Sequence, residues 1–531
     1  MRKRRLILPA IPLTIGALVL AGCTATATTP AAVTVTDTTD EATVVDTTGT
    51  NAEAVLAANE DGTVVRDDEW SVADAVDITL TGDGATTTAD GVEVSGATVT
   101  ITAAGVYHLS GSLEGSVTVS AAEDAQVVLI LDGVDIANPD GAAISVLTAD
   151  DVAVSLADGT QNTLSDAATH AEDADVNAAL FSEADLTITG TGALTVRGNG
   201  GDGITAEDDL AILSGDITVT AADDALRGKD SLTIEDGTLT LEAGGDALKS
   251  DNVDEETRGY VVLEGGDITA TASDDGIDAT TDIVITGGAF TVTAQGDGLH
   301  ADVALAIAAG TTVVSQSDEA LEGAHISIEG GDVQLTASDD GINGSGASTA
   351  ATAGEGGGGG GMGDTGETVD ITGGTVTVDA GGDGLDSNGS MTISGGTVTV
   401  AGPTNDGNGA LDVNGTLTVT GGTVLALGSA GMTVSPGEAS TQAWISALAS
   451  GSAGDTVEIV DASGAIVASF TADKTFGSVV FTSADLVDGA GYTVNVNGSA
   501  AATVTEGTAT AGGMGGGMGG PGGGPGGGQR P

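Results

Sequence analysis

Residues 271–282, TASDDGIDATTD, contain a short phrase that recurs through the middle of the chain, and the spacing of its copies decides the fold. The phrase is Asp-(Gly or Ala)-(Ile or Leu), with Glu in place of Asp in one copy, and most successive copies start 22 residues apart. The copies start at Asp202, Asp224, Asp246, Asp275, Asp297, Glu319, Asp340 and Asp383. Such a repeat indicates a solenoid or a related repeat architecture, whatever the chain length alone would suggest.

Each repeat unit contains two runs in which apolar and polar residues alternate, as in DIVITGGAFTVTA at 282–294, joined by a glycine turn. The Asp phrase supplies a third, shorter strand. Three short strands and three turns predict one rung of a parallel β-helix, with rungs about 4.8 Å apart. A propeller or sandwich would need longer units with hairpin turns. We therefore predict an all-β chain with a parallel β-helix over residues 71–435, right-handed by the default for parallel crossovers.

The N-terminus predicts export and a lipid anchor. A basic start and an apolar stretch from Leu6 to Leu20 indicate a signal peptide over residues 1–22. The sequence LAGC at 20–23 resembles the lipobox of bacterial lipoproteins, in which the cysteine carries the lipid. Cys23 is the only cysteine, so an internal disulfide is excluded. We expect anchoring through Cys23 on the extracellular face of the cell membrane, with an uncleaved membrane-spanning anchor as the alternative.

Three other segments differ from the repeats in composition. Residues 23–70 are rich in Thr, Ala and acidic residues and predict a disordered stalk, and residues 506–531 predict a disordered glycine-rich tail. Residues 354–367 predict a glycine-rich loop inserted in the solenoid. Residues 436–505 contain three of the five Phe and a hairpin-like turn at Ser463-Gly464, which predicts a small β cap whose Phe side chains form a core.

The charge balance restricts the partners. The chain has 78 Asp and Glu against 12 Lys and Arg, a formal net charge of −66, so nucleic acid is an improbable partner. The hydrophobic content of 40% is too high for a wholly disordered acidic chain. We therefore expect a folded, monomeric protein with a core of small aliphatic residues.

Stacked rungs would place the acidic residues in columns. The first residues of the repeated phrase form one column, where like charges about 4.8 Å apart repel by roughly 3 to 4 kcal/mol at an effective dielectric of 20. A second column, three residues further on, contains the cations Arg227 and Lys249, which would supply countercharge early in the solenoid. From residue 274 to 386 a bound Ca²⁺ is the economical countercharge, because calcium takes six to eight oxygen ligands in irregular geometry. A solvated acidic face is the alternative. The second column reads Thr205, Arg227, Lys249, Asp278, His300, Glu322, Asn343 and Asp386.

The sequence offers few candidates for catalysis. Parallel β-helices commonly host calcium-dependent lyase chemistry, which needs a basic residue near the carboxylates. The candidates are Arg227, Lys249, Arg258 and His300, and the first two already serve as predicted countercharges. No nucleophile elbow, phosphate-binding loop or zinc-type motif is present. We therefore expect no catalytic residues.

Several blocks resemble one family. VTITAAGVYHLSGSLEGSVTVSA begins at residue 98, SDDGIDA, GDGLHA and GGDGLDSNG follow in the rungs, and TADKTFGSVVFTSADL occupies 471–486. With the Gly-Met tail, these are similar to the bacterial carbohydrate-binding-domain-containing lipoproteins. The resemblance implies a pectate-lyase-like β-helix, bound calcium, and binding of cellulose and acidic polysaccharides such as polygalacturonate. It implies calcium ligands at Asp274, Asp275, Asp278 and Asp297, with Asp339, Asp340, Asp383 and Asp386 as further candidates.

These observations predict a surface-anchored, calcium-stabilised β-helix that binds polysaccharide without cleaving it. Calcium would bridge carboxylates of the protein and of an acidic polymer. Two alternatives stay open at this point. One is a calcium-dependent polysaccharide lyase, and the other is a spacer or adhesin in which calcium is purely architectural.

Overall fold

The computed structural model describes residues 50–171, 174–346 and 363–509. The predictions for the signal peptide, Cys23, residues 354–362 of the glycine loop and residues 510–531 therefore lie outside the described residues. Contacts between Cα atoms divide the chain into a unit of residues 1–46, also outside the described residues, and a unit of residues 47–531. Everything below concerns the second unit.

Short parallel strands form three long faces, and each rung contributes one strand to each face in turn. The first face contains Thr98–Ile101, Ser116–Ser120, Ile144–Thr148, Ala178–Ser182, Asp202–Ala206, Leu226–Gly228, Leu248–Ser250, Ile277–Ala279, Ile342–Gly344, Leu385–Ser387 and Leu411–Val413. The second face contains Asp151–Leu156, Asp185–Gly190, Asp209–Ile212, Ser231–Ile234, Tyr260–Leu263, Asp282–Ile285, Thr368–Ile371, Ser390–Ile393 and Leu417–Val419. Two longer strands, Leu299–Ile307 and Leu321–Ile328, pass through both of these faces.

The third face consists of longer strands. They are Gln161–Ser165, Ala193–Gly198, Asp216–Ala221, Thr238–Ala243, Asp267–Ala272, Ala289–Thr293, Thr311–Gln316, Asp332–Ala337, Thr375–Ala380, Thr397–Ala401 and Thr423–Gly428. At the N-terminal end, Val76–Gly82, Gly105–Glu114 and Gln126–Ala137 pair in parallel and run through the second and third faces. This arrangement agrees with the predicted solenoid.

The pairing register follows the spacing of the sequence repeat. Leu210 pairs with Leu232 on the second face, and Ile217 pairs with Leu239 on the third. Strands of the third face alternate buried and exposed residues, as the period-two pattern predicts. The buried residues stack in columns and form one continuous aliphatic core from Ile78 to Val480. Phe290 replaces an aliphatic residue in its column without leaving the core.

Glycine pairs before the third face are required by the close approach of neighbouring rungs. Gly288 has φ +77°, and a Cβ placed there would lie 2.7 Å from the backbone of Gly265 in the preceding rung. Both the left-handed conformation and the lack of space therefore select glycine.

Antiparallel strands close both ends of the solenoid. At the N-terminal end, Ala85–Thr87 pairs with Val76–Gly82, and Val92–Ser95 pairs with Thr98–Ile101. At the C-terminal end, Phe476–Thr482 pairs between Thr423–Gly428 and Trp444–Gly451. A separate four-stranded sheet follows, made of Thr456–Asp461, Ile466–Thr471, Gly491–Val496 and Ser499–Thr505. These closing strands cover the pairing edges of the last rungs.

The cap has its own core, as its Phe content predicts. Phe476 and Phe481 are buried in it, and the Phe470 ring lies 5.3 Å from that of Phe481. The turn at Ser463-Gly464 connects two antiparallel strands, and Asp461 Oδ1 accepts hydrogen bonds from the backbone N–H of Ser463 and of Ala465.

The N-terminal part of the unit differs from the predicted stalk. Residues 51–67, which we call the strap, lie along the second face; they begin with an α-helix at Ala52–Ala58 and are followed by a 3-10 turn at Val72–Asp74. Val55 packs against Val284 and Ala306, and Val65 packs against Val128 and Ala153. The outward residues of the second face are Ala and Val at these places, and the strap covers them. Residues 50–70 are therefore folded, and the stalk prediction concerns only residues outside the described part.

Among the described residues, no helix has both the length and the apolar character needed to cross a membrane.

Candidate metal centre

The first predicted column is a ladder of hydrogen bonds that runs along the solenoid. Asp246 Oδ1 accepts a bond from the backbone N–H of Asp275 at 2.8 Å, and Asp275 Oδ1 accepts one from the N–H of Asp297 at 2.6 Å. The same contact joins Asp202 to Asp224, Asp224 to Asp246, Asp297 to Glu319, Asp340 to Asp383 and Asp383 to Gly409. One oxygen of each carboxylate thus supports the next rung, which is a structural reason for an acid at this position.

The ladder changes at Glu319. Its side chain is one methylene longer, and Oε2 accepts a hydrogen bond at 2.8 Å from Nδ2 of Asn343, a residue of the second column. Glu319 therefore brings a carboxylate of the first column into contact with the second.

The second column is formed by backbone pairing on the first face, as predicted. The row runs Thr205, Arg227, Lys249, Asp278, His300, Glu322, Asn343 and Asp386. It continues to Asp412, which the repeated phrase did not reveal because the copy at 410–412 begins with Ala.

The two predicted countercharges behave differently. Lys249 Nζ bonds Asp246 Oδ2 at 2.5 Å and lies 3.6 Å from Asp224 Oδ2 and 3.5 Å from Asp278 Oδ2, so it does neutralise the ladder. Arg227 turns away from the ladder. Its guanidinium bonds Glu207 at 2.7 Å and Asp251 at 3.0 Å. Arg227 is therefore held by these nearer acids, but its charge still acts on the ladder: burial raises the pKa of Asp202, and the positive charge of Arg227 opposes that rise.

His300 is another basic residue of the second column, two rungs beyond Lys249 and next to Asp278. Its Nδ1 lies 3.2 Å from Asp278 Oδ1, and its Nε2 lies 3.9 Å from Glu322 Oε2. The hydrogen bond with Asp278 raises the pKa of His300 to about 9, together with the charges of Glu322 and Asp278. His300 is therefore a cation at neutral pH and does not serve as a free general base.

Three groups of ligand atoms on this side of the solenoid lie close enough to share a metal ion. Within each group the ligand atoms are within 4.8 Å of one another. The groups are Asp246 with Asp274 and Asp275, then Asp275 with Asp278 and His300, and then Asp297 with Glu319 and Glu322. Two further groups outside the predicted segment are Asp202 with Asp223 and Asp224, and Asp185 with Asp208 and Asp209.

The group of Asp297, Glu319 and Glu322, which we call the acidic triad, carries the strongest electrostatic conflict. Burial raises the pKa of Asp297 to about 7, and the charges of Asp275 and Glu322 add to this effect. Burial likewise raises the pKa of Glu319 to about 8, and Glu322 and Asp297 add to it. Burial therefore favours the protonated forms of Asp297 and Glu319 near neutral pH, as it does for carboxylates that no cation neutralises.

The donor set of the acidic triad fits a hard cation. All three ligands are carboxylates, whereas the two other groups in the segment contain His300 or an aspartate already bonded to Lys249. In addition, Asn343 Oδ1 is buried and has no hydrogen-bond partner within the described part of the chain, while its Nδ2 is held by Glu319. Carboxylate and amide oxygens are the ligands that calcium prefers.

The structure brings together only part of the predicted ligand set. Asp274, Asp275 and Asp278 lie in the first two groups, and Asp297 lies in the acidic triad. Asp383 N–H bonds Asp340 Oδ1 at 2.5 Å, and burial with neighbouring acids raises the pKa of Asp383 and of Asp386 to about 7. Nevertheless, among the described residues no three-ligand group contains Asp339, Asp340, Asp383 or Asp386. Sequence reasoning treated Glu319, Glu322 and Asn343 as departures from the Asp pattern, although the register already placed them side by side.

The remaining candidate bases are held in ion pairs. Arg258 lies 3.0 Å from Asp209 and 3.6 Å from Glu60, on the second face and away from the columns. For Lys249, burial lowers the pKa, but the bond to Asp246 and the surrounding acids raise it by more, so the net shift is upward. The geometry therefore distinguishes none of the four predicted candidates as a proton acceptor.

Part of the solenoid is similar to a known family. Residues 95–341, which include the acidic triad and most of the ladder, match the family model of carbohydrate-binding domain-containing proteins. For this region the match confirms the resemblance to carbohydrate-binding domain-containing proteins, while the expected lipid anchor and bound calcium stay predictions.

Two similar proteins show how much of the chain the similarity covers. A carbohydrate-binding domain-containing protein of Acetivibrio thermocellus is 41% identical over 137 residues, which is 25% of this chain and 48% of the relative. The chain thus spans about half the length of the curated relative it matches. A solved structure, of the polysaccharide lyase-like protein from C. thermocellum as a gadolinium derivative, is 36% identical with a TM-score of 0.44 and covers 45% of this chain and 99% of that chain.

Proposed function

We propose that this protein binds polysaccharide at the cell surface in a calcium-dependent manner and does not cleave it. The observation that carries the proposal is the acidic triad, a half-buried group of three carboxylates inside the region that matches the model of carbohydrate-binding domain-containing proteins. Asp297, Glu319 and Glu322 would hold the cation, with Asn343 Oδ1 as a neutral fourth oxygen. Asp274, Asp275 and Asp278 form the second candidate position.

The negative charge of the protein explains why it would need a bound cation to bind an acidic polymer. The chain has 12 basic against 78 acidic residues, and the basic residues near the columns are already paired with acids. When bound, calcium supplies positive charge that carboxylates of the protein and of a polygalacturonate-like chain can share. The residues of the protein position that charge, and the ladder fixes the rungs from which they project.

Attachment follows from the sequence of the N-terminus. We propose lipidation of Cys23 after removal of residues 1–22, which would hold the protein on the outer side of the membrane as a monomer. Residues 23–49 would then lie between the lipid and the strap.

The test combines metal and polymer binding. We expect the protein to be retained on immobilised polygalacturonate in calcium, to elute when the cation is chelated, and to release no unsaturated products. Calcium should also raise the melting temperature, since a ligand bound only by the native state stabilises it by about 2.7 kcal/mol at one hundred times its Kd. New absorbance from unsaturated sugars would identify a lyase, and calcium binding without retention would identify a structural role.

Paired variants assign the site. Glu319→Gln combined with Glu322→Gln removes two charges from the acidic triad and should weaken calcium binding and retention together. Asp216→Asn combined with Asp267→Asn removes two charges from exposed positions on the third face and should leave both unchanged. Equal behaviour of the two double variants would contradict the assignment to the triad.

A further inference from the structure

A large cleft lies at the junction between the last rungs and the cap, far along the chain from the family-matched region. It has a volume of about 930 Å³, within the usual range for ligand sites. Three segments form its walls: the connection at 435–443, the loop at 483–488 and the turn after the last strand at 506–509. Trp444, only 8% exposed, and Leu486 are among the residues that line the cleft.

Hydrogen bonds fix the walls relative to one another. Gln442 Nε2 donates to the carbonyl of Gly422 at 2.8 Å and to Thr482 Oγ1 at 2.9 Å. Glu506 accepts from the backbone N–H of Trp444 at 3.3 Å and from that of Gly489 at 2.7 Å. The cleft is therefore preorganised, and little conformational entropy would be lost when a ligand enters.

The polar groups that face the cleft favour one kind of ligand. Both amide hydrogens of Gln442 are used in the wall, so its Oε1 is left as an acceptor, and the carboxylates of Glu438, Asp488 and Glu506 are further acceptors. Ser483, 5% exposed, accepts from Asp485 N–H, which leaves its hydroxyl hydrogen to donate. No Lys, Arg or His is among the described residues that line the cleft.

Ser435 supplies a second, independent sign of a ligand. Its Oγ is buried at the cleft and has no hydrogen-bond partner in the described part of the protein. A buried hydroxyl without a partner costs free energy, and a hydroxyl-bearing ligand would satisfy it.

From these groups we infer that the cleft is a second carbohydrate site, which binds a neutral oligosaccharide without calcium. A neutral sugar brings several hydroxyl donors for the carboxylates and the Gln442 oxygen, and an apolar ring face for the apolar lining residues Trp444 and Leu486. An anionic sugar would meet three carboxylates and no cation. The site is independent of the proposed calcium-dependent function, because the two differ in position, metal requirement and sugar charge.

The experiment is calorimetry on the full chain in excess chelator, which disables the calcium-dependent site. The probes are neutral hexasaccharides of β-1,4-glucose, α-1,4-glucose, xylose and mannose, and an oligogalacturonate of the same length. We expect at least one neutral probe to bind and the oligogalacturonate not to bind. A Trp70→Phe chain, in which Trp444 is the only tryptophan, should report the same titration by a change in fluorescence.

Two hydroxyl variants locate the binding. Ser435→Ala should weaken binding of the neutral probe about five- to tenfold, the effect of losing one hydrogen bond of about 1 kcal/mol or slightly more. Thr433→Val is the matched control, because Thr433 Oγ1 is likewise buried without a partner in the described residues but does not line the cleft. Neither change breaks a bond that holds the fold. The inference is overturned if no neutral probe binds, if the oligogalacturonate binds equally well, or if the two variants weaken binding alike.

Discussion

A ladder aspartate combines two roles in one side chain. One oxygen accepts the N–H of the next rung, and the other faces the second column, where Lys249 bonds Asp246 Oδ2. The sequence could predict the column, because the position recurs in register with the core. It could not predict the hydrogen bond, because that depends on the side-chain rotamer and not on the repeat. From residue 274 to 386 the sequence predicts a bound cation as the countercharge, whereas backbone N–H groups and retained protons compensate part of the charge there.

The contact between Glu319 and Asn343 at the acidic triad could not be predicted from the sequence either. Glu319 and Asn343 break the Asp pattern, so their rungs carried less weight in the prediction of metal ligands. In space the longer Glu319 side chain reaches the second column and meets Asn343. The register was predictable, but the reach of one additional methylene was not.

The ladder bond can be tested at Asp275. Asp275→Ala leaves the N–H of Asp297 without its acceptor and should destabilise the protein by about 1 to 3 kcal/mol in chelator. Asp275→Asn keeps an oxygen at the same place and should cost less than half as much. The measurement is the free energy of unfolding in urea.

The neighbouring residue provides the control. Asp274 is exposed, and no side-chain hydrogen bond is seen for it, so Asp274→Ala should change stability by less than about 0.5 kcal/mol. If Asp275→Ala is as mild as Asp274→Ala, the ladder bond does not support the rungs.

At the scale of elements, the strap contacts the insertion VDEETRGY at 253–260, which lengthens the step from Asp246 to Asp275 to 29 residues. Glu60 in the strap donates its N–H to the Thr257 carbonyl at 3.1 Å, and its own carbonyl accepts from Tyr260 Oη at 2.6 Å. Arg66 in the strap forms a bidentate pair with Glu235, both contacts at 2.6 Å. The insertion that lengthens one repeat thus forms a clasp for the strap.

No sequence signal pointed to this clasp. The strap has a composition typical of flexible segments, and its partners lie about two hundred residues away along the chain. Its helix of seven residues is too short to persist alone in water, so tertiary contacts decide its structure.

If the clasp holds the strap, removing the hydroxyl of Tyr260 should loosen the strap locally. Tyr260→Phe removes the bond to Glu60 and should loosen the strap, at a cost of about 1 kcal/mol. The expected observation is faster hydrogen exchange and proteolysis within residues 51–67. Tyr107→Phe loses an equivalent bond, to the Ala103 carbonyl at 2.9 Å, and should leave the strap protected. Equal protection of the strap in both variants would contradict the role of the clasp.

At the scale of the molecule, periodicity made the solenoid predictable. A period of two within strands and a repeat of 22 between rungs jointly specify which residues are buried and which residues pair, as Leu210 with Leu232 illustrates. The strand pairing of the cap was not predictable in this way. It lacks the repeat, and its strand Phe476–Thr482 joins the last rung by a long-range antiparallel pairing.

The raised pKa values along the columns predict how the stability of the whole molecule depends on pH. Folding raises the pKa of Asp275 to about 6, of Asp297 and Asp383 to about 7 and of Glu319 to about 8, mainly by burial, from about 4 in an unfolded chain. Because the folded state holds these protons more tightly, their stabilising contribution is complete below about pH 4 and is lost as the pH rises through about 6 to 8. In chelator, the melting temperature should therefore fall between about pH 5.5 and 8.

Calcium competes with the protons for the same oxygens, so it should stabilise more at the higher pH and reduce the fall. Calorimetry at both pH values, with calcium and with chelator, measures this, and Glu319→Gln should lessen the fall in chelator because it removes the group with the largest shift among these four. A melting temperature in chelator that is constant or rises over this range would show that these carboxyl groups are not held protonated by the fold.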